Sequence, residues 1–552
     1  MVFFRRASIV FVTIAGVVLS RTAQAIPKPQ DQRPRGYDYG VDIGALLKRD
    51  VTHISTTGVP YTGSSASIPV RQEIRDLEKD ADLWELYILG VSMMQTINQS
   101  DIRSWYQISG IHGRPYLPYD GVQATPGDEN NGYCTHVSIL FPTWHRPYLA
   151  LYEVVSPLRD DERDCIDSLQ QVLHSVISFI AEQYPIGAER ERYTAAAGNF
   201  RIPYWDWAVV PAAGQSVLPA SVTTPTIAVL LSMALPVTFS NKAWITAASP
   251  GDFDSIEFLH DQIHGLTGSG GHMSYVDYSA FDPLFFLHHS MIDRCFAIWQ
   301  TLNPESYATA KEASYSTFTM TAGSIQDVST PLKPFYDAGG SNFYSSSEVV
   351  STETFGYAYP EILKGGNTTT QAIKAINRLY GITAPAKTVS RRTNPELSSR
   401  ITKKYALAKS FFVHVFLGPF KDDPSIWTFE PNLIGTHCVF AKLSTFGSAA
   451  ADPNQLVTGT IPLTSALLDD ISQGLLSSLN HEDVEPYLKK NLKYRITLLD
   501  DTEIENSAVP SLIITVVSAV VQKSTVDHEL PKWGPMISHM ELSTGASNST
   551  KI

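Results

Sequence analysis

The sequence predicts a mainly α fold: a helical bundle over roughly the first 350 of 552 residues, followed by a C-terminal β-sandwich. Two observations carry this. Three stretches before residue 350 repeat apolar residues every three or four positions, the period of one helix face. Beyond it come β-branched and aromatic runs bounded by Gly, Pro and Asp, the pattern of strands.

Taken in order, residues 1–25 read as a secretory signal. Arg5 and Arg6 precede an apolar run from Ala7 to Leu19, and Ala23-Gln24-Ala25 forms a small-residue cleavage pattern. Residues 26–49 are polar and Pro-rich and end in Lys48-Arg49, a candidate propeptide cut or simply two solvated charges. Ile74, Leu77, Ala81, Trp84, Ile88 and Val91 predict one face of a long helix. Leu169, Val172, Leu173, Val176, Ile177 and Ile180 repeat the pattern, and a third helix is expected over Pro283–Trp299, opened by its proline. Residues 385–404 carry Arg391-Arg392 and Lys403-Lys404 and read as an exposed linker open to proteolysis. Ser410–Leu417, Lys493–Leu498 and Leu512–Val517 are the expected strands of a β domain over 405–530, with a tail at 531–552.

Composition narrows the function classes. A net charge of −13, from 42 basic and 55 acidic residues, argues against nucleic acid and against an anionic membrane as partner. Four cysteines rule out a disulfide scaffold. No segment after the leader is long enough to span a bilayer. Asn98-Gln99-Ser100, Asn367-Thr368-Thr369 and Asn548-Ser549-Thr550 are candidate glycosylation sites in an exported chain.

The histidines carry the chemistry. Nine of the 15 fall between residues 112 and 289. One group is His112, His136 and His145; the other is His260, His264, His288 and His289. His260 and His264 stand at i and i+4, so on a helix their rings share one face and can grip one metal. This approaches the H-E-x-x-H pattern of zinc proteases, but Asp261 stands where the general-base Glu belongs. His288 and His289 are neighbours that diverge by about 100° on a helix, so one of them is expected to face that metal. Imidazoles without obvious carboxylate or thiolate ligands suit copper or zinc rather than magnesium or calcium. Two facing three-histidine sets describe a dinuclear copper centre better than structural zinc, because each metal keeps an open position.

Three motifs then carry a family resemblance. Residues 133–153 read Tyr-Cys-Thr-His-Val-Ser-Ile-Leu-Phe-Pro-Thr-Trp-His-Arg-Pro-Tyr-Leu-Ala-Leu-Tyr-Glu, residues 281–299 contain Phe-Asp-Pro-Leu-Phe-Phe-Leu-His-His-Ser-Met-Ile-Asp-Arg, and residues 203–207 read Pro-Tyr-Trp-Asp-Trp. The chain resembles a tyrosinase or polyphenol oxidase of the fungal kind, within the type-3 copper proteins. The resemblance implies a four-helix-bundle catalytic core over 50–384 that holds two copper ions. His112, His136 and His145 match the CuA ligands; His260, His264 and His289 match the CuB ligands. It further implies a thioether between Cys134 and His136. Phe285 would pack beside the His289 ring, Glu257 would help hold a water near the phenol, and Val276 would gate the CuB side. Asp293 is expected to accept an imidazole N–H or to pair with Arg294, while His174 and His272 read as structural.

The implied activity is oxidation of o-diphenols by O2 to o-quinones, with ortho-hydroxylation of monophenols, in melanin-type pigment or phenolic secondary-metabolite formation. Alternatives that share the same residues are an o-aminophenol oxidase and a hemocyanin-like oxygen-binding protein. Two positions depart from the family pattern. Asp261 stands where an Asn is usual and would place a carboxylate beside the phenolate, and Met291 replaces the Asn of H-H-x-N. The resemblance also implies that the β domain covers the site until an activating protease removes it, and that Tyr357-Ala358-Tyr359 closes the core. Cys438 is open between copper delivery and an ordinary buried thiol.

Overall fold

A computed structural model of the chain describes residues 53–543 except 60, 62–66, 154–172, 211–215, 220–254, 364–367, 382–391, 404–405, 408, 442–455, 523 and 525. The expectations for the leader and propeptide (1–49), Leu169, Val172, Asn367, Asn548 and residues 544–552 lie outside the described residues.

The single long helix expected from Ile74 is two. Helix α1 (Ile74–Leu77) ends, and Asp80 caps α2 (Ala81–Thr96) by accepting the Leu83 N–H at 3.1 Å. The buried face of α2 is Leu83, Leu86, Tyr87, Gly90, Met93 and Met94, whereas Ile88 is 45% exposed. Gly90 decides that orientation. A Cβ there would stand 2.8 Å from Ile177 and 2.9 Å from Leu173, so its absence lets α5 (Leu173–Gln183) close on this face.

Helix α3 (Trp105–His112) and α4 (Phe141–Glu153) precede α5, and α6 (Ala188–Asn199) completes a layer with α2 and α5. Helix α7 (Ile256–Gly268) and α4 both pack on α8 (Leu284–Leu302), which opens after Pro283 as the sequence predicts. Every side chain of α8 from Leu284 to Ile298 is buried, the mark of a central helix. Four short strands, β1 (Lys311–Glu312), β2 (Ile325–Gln326), β3 (Pro331–Tyr336) and β4 (Phe343–Ser345), form two small ladders, and α9 (Thr368–Tyr380) follows.

One ionic cluster locks these helices together. Asp293 of α8 accepts Arg146 Nε of α4 at 2.7 Å, Arg71 at 3.3 Å, and the hydroxyls of Tyr357 and Tyr359 at 2.6 and 2.7 Å. Arg71 also pairs with Glu153 at 2.7 Å, and all of these side chains are buried. Burial alone would raise the Asp293 carboxyl, but the two guanidinium groups and two hydroxyls hold it below the ordinary carboxylate range. The expected partners of Asp293, an imidazole or Arg294, are therefore replaced by this set. Arg294 turns away to Glu361 at 2.7 Å and to the Tyr380 hydroxyl at 2.8 Å, tying α9 to α8. Its guanidinium also faces the Met291 sulfur at 3.3 Å.

The C-terminal half is a β-sandwich. One sheet runs β10 (Glu503–Ile504), β9 (Leu492–Leu498), β6 (Phe411–Leu417), β7 (Leu433–Val439). The other runs β12 (Lys532–Trp533), β11 (Ile513–Gln522), β5 (Arg392–Lys403), β8 (Leu456–Pro462), with β13 (Ile537–Ser543) also on β11. Two expectations change here. Residues 392–403 are an interior strand rather than a linker, because their backbone groups pair with β11 on one side and β8 on the other. Part of the expected tail, 537–543, is a strand on β11. Val413, Val415, Ile461, Ile496, Ile514 and Val516 fill the space between the sheets, closed by Leu467 of α10 (Thr464–Ser472) and Leu488 of α11 (His481–Asn491). His414 is buried on β6, its ring nitrogens 3.0 and 2.9 Å from the hydroxyls of Thr436 and Thr497.

Two measurements check this account. Asp293→Ala leaves two guanidinium groups buried without their shared carboxylate, and the expected loss is about 3–5 kcal/mol in denaturant unfolding. Burial lowers the His414 pKa to about 4. Below about pH 6.5 the unfolded chain takes up a proton there and the folded chain does not, so acid favours unfolding until about pH 4. In metal-free protein, His414→Gln is expected to flatten the stability profile in that window by about 1.4 kcal/mol per pH unit.

Candidate metal centre

Each histidine arrives on a different local device. Ser255 caps α7, accepting the Phe258 N–H at 3.1 Å, and sets the register that puts His260 and His264 on one face with ring centroids 4.4 Å apart. His112 is the last residue of α3, His145 lies in α4, and His288 and His289 lie in α8. His136 comes from the loop ahead of α4, and all seven rings are buried. Phe285 stacks on His289 at 3.9 Å, as its spacing predicts.

Oxygen acceptors fix the rings. The Nδ1–H of His112 donates to the Val276 carbonyl at 2.9 Å, that of His145 to the Phe141 carbonyl at 2.7 Å, and that of His264 to the Met273 carbonyl at 3.0 Å. His260 Nδ1 donates to Asp261 Oδ1 at 2.9 Å. A ring that donates from Nδ1 presents a bare Nε2 when neutral. Burial, reinforced by neighbouring rings, holds His260, His264 and His289 well below the ordinary imidazole range. Burial lowers the His145 and His288 pKa values to about 3. Neutral imidazole is the form that binds a metal.

The nitrogens converge. His289 Nε2 lies 3.1 Å from His260 Nε2 and 3.3 Å from His264 Nε2, and the buried Nε2 of His145 has no hydrogen-bond partner. With their Nδ1–H groups committed elsewhere, His260 and His264 turn Nε2 lone pairs toward this one space, where a cation can be held. Ligand atoms fall within 4.8 Å of one another in three overlapping sets: His260, His264, His288 and His289; His112, His145 and His289; and His112, Cys134 and His136. These residues fit copper, with imidazole dominating and Cys134 at one edge.

Not every expectation survives unchanged. His288 joins the cluster, its ring stacked on His260 at 5.2 Å, although the 100° divergence of helical neighbours argued that only one of the pair would. Asp261 addresses the His260 ring, a role that its place beside a phenolate did not suggest. Glu257 is fully buried and accepts the Val137 N–H at 2.6 Å. Val276 meets the site through its carbonyl. His174 is buried away from the cluster and His272 is exposed, both outside the metal sets.

The sequence did not reveal what covers the cluster. Phe440, just past β7, is fully buried and stacks on the His264 ring at 4.6 Å and 10°, with His260 6.2 Å away. Behind it, Gln262 of α7 pairs with both backbone groups of Cys438: Nε2 donates to its carbonyl at 2.9 Å, and Oε1 accepts its N–H at 2.7 Å. Gly265 admits the Cys438 side chain, because a Cβ there would collide with Sγ. Cys438 thus packs as a buried contact between the two halves.

Comparison with known proteins agrees. The model of the common central domain of tyrosinase matches residues 102–231 and 229–302, and that of the tyrosinase C-terminal domain matches 400–516. A tyrosinase of Neurospora crassa is 31% identical over 86% of this chain and 94% of its own. A tyrosinase of Podospora anserina is 34% identical over 76% and 96%. A crystal structure of latent and active mushroom tyrosinase superposes with a TM-score of 0.67 at 24% identity, covering 88% of this chain and 98% of its own. By these matches, over both halves of its length, the chain belongs to the tyrosinase family and is a copper-dependent oxidoreductase that acts on phenols with O2.

Proposed function

We propose that the chain holds two copper ions, one on His112, His136 and His145 and the other on His260, His264 and His289, and oxidises o-diphenols and monophenols to o-quinones. The observation that carries this reading is the convergence of neutral, buried imidazoles on one space. Bound copper supplies the activation of O2 and the two-electron oxidation. The protein's own residues do the rest. Asp261 holds His260 in the tautomer that offers Nε2, the arrangement by which a carboxylate raises the basicity of a ligand ring. Phe285 fixes the plane of His289. Glu257, anchored on the Val137 N–H, places a second carboxylate beside the first His of α7, where it can hold a water for the phenol's proton. Cys134 Sγ lies within 4.8 Å of a His136 ring nitrogen, and a thioether between them would fix the ring and remove a reactive thiol. Val276 is the gate.

The β domain, on this reading, is a cover. Phe440 puts an aromatic ring against His264, where a flat phenol would lie, so the intact chain is latent and a protease activates it. Secretion, glycosylation at Asn98 and a part in pigment or phenolic secondary metabolism complete the proposal, the first two resting on the leader pattern and the Asn-Gln-Ser tripeptide. The oxygen-carrier reading is less well supported: the match to hemocyanin 1 of Megathura crenulata is 36% identical but covers 20% of this chain and 3% of that protein.

Copper-loaded, protease-trimmed protein is expected to contain two coppers per chain and to turn over catechols faster than tyrosine-like monophenols or o-aminophenols; one copper per chain overturns the assignment. Asp261→Ala removes the acceptor of the His260 N–H and is expected to weaken copper binding about 10- to 100-fold, read by competition with a chelator. Phe440→Ala is expected to raise catechol oxidation by the untrimmed chain at least tenfold, with little change once the β domain has been cut away.

A further inference from the structure

The loop between α7 and α8 touches both halves of the histidine cluster. Its Met273 carbonyl accepts His264 Nδ1–H at 3.0 Å, and its Val276 carbonyl accepts His112 Nδ1–H at 2.9 Å. Two carbonyls three residues apart therefore orient one ring from each proposed copper set. The core holds the loop from one side. Arg114 N–H donates to the Asp277 carbonyl at 2.9 Å, while within the loop the Ser279 hydroxyl donates to the Val276 carbonyl at 3.3 Å. Gly113 makes the crossing possible, since a Cβ there would stand 2.5 Å from the Asp277 carbonyl oxygen.

The β domain holds the same loop from the other side, through one hydroxyl. Ser410, at the start of β6, is fully buried. Its Oγ accepts the Ala441 N–H at 2.9 Å. Its single proton is directed at two carbonyls, Ser274 at 3.1 Å and Ala441 at 3.2 Å. Ser274 lies between the two carbonyls that orient the rings, and Ala441 is bonded to Phe440. One side chain thus joins the backbone that carries the covering ring to the backbone that carries the ring acceptors.

We propose that Ser410 is a positioning residue: acting through the Ser274 carbonyl, it couples the seating of Phe440 to the loop that orients His112 and His264. The β domain then does more than block the cluster. While it is seated it also steadies the acceptors of two rings, and its departure frees that loop together with the space under Phe440. This inference rests on the reading of the β domain as a cover over the copper site.

Hydrogen exchange on the intact, metal-free chain tests it without relying on turnover. Ser410→Ala is expected to speed exchange of the Ala441 amide about five- to tenfold, and with it the loop amides of Ser274, Tyr275 and Ser279, which bond within the loop. Ser279→Ala, which removes a bond internal to the loop and leaves Ser410 and its three contacts in place, is expected to speed the loop amides and leave Ala441 unchanged. Amides of β11 report whether the β domain is folded; should Ser410→Ala disturb them, Ser410→Cys repeats the test with the volume kept and the donor weakened. Faster exchange at Ala441 with an unmoved loop overturns the coupling, and so does no change at either place. Copper content of the wild-type chain is measured alongside: failure to bind copper would sink the functional reading while leaving the exchange result to judge the coupling.

Discussion

Seven imidazoles are buried against one another in the interior of this protein, and for His145, His260, His264, His288 and His289 burial disfavours the charged form. A neutral ring carries one N–H, and in a dry interior that N–H needs an oxygen. Four of the rings meet the need with Nδ1, using three backbone carbonyls and one carboxylate. That constraint leaves Nε2 bare and turned inward, which is what a metal requires. The scaffold follows from it. Phe141 must lie one turn before His145, Asp261 must follow His260, and the loop after α7 must return to bring Met273 and Val276 to rings on two different helices.

Holding α4 and α8 in such register takes a second polar assembly, one helical turn from the cluster. Asp293 is four residues beyond His289, so the helix that delivers that ring is anchored by the same helix face one turn on. Its partners come from the start of the core (Arg71), from the helix of His145 (Arg146), and from its end (Tyr357 and Tyr359). A carboxylate with four donors is satisfied in a way that one without them is not, and the cost of breaking such a set is far larger than the net gain from making it. The tyrosine pair that closes the core in sequence also closes it in space.

The two halves meet by a device that resembles strand pairing more than side-chain packing. Gln262 offers Cys438 both a donor and an acceptor, as a neighbouring strand would, from the face of α7 opposite His260 and His264. Phe440 then falls on the histidine side. A helix whose one face carries metal-binding rings and whose other face carries the cover's main anchor joins the site to its cover with no intervening element.

Much of this was legible in the residues. The i, i+4 spacing of His260 and His264, the proline that opens α8, the Phe285 that stacks on His289 and the β-branched and aromatic runs of the C-terminal strands are all local features, which a sequence displays directly. Local periodicity failed where distant neighbours intervened. Asp80 divided the predicted first helix, and Gly90 turned the second toward α5. The basic stretch at 392–403 became a strand because β11 and β8 lie on either side of it. Asp293 chose Arg146, Arg71 and two tyrosines that stand up to 222 residues away. Phe440 covers His264 from 176 positions further along. Residue types, their spacing on each helix and hence the chemistry available were all readable along the chain. The tertiary structure alone decided which oxygen each ring faces, which carboxylate anchors which helix and what seals the site, because those contacts depend on the positions of separate segments in space.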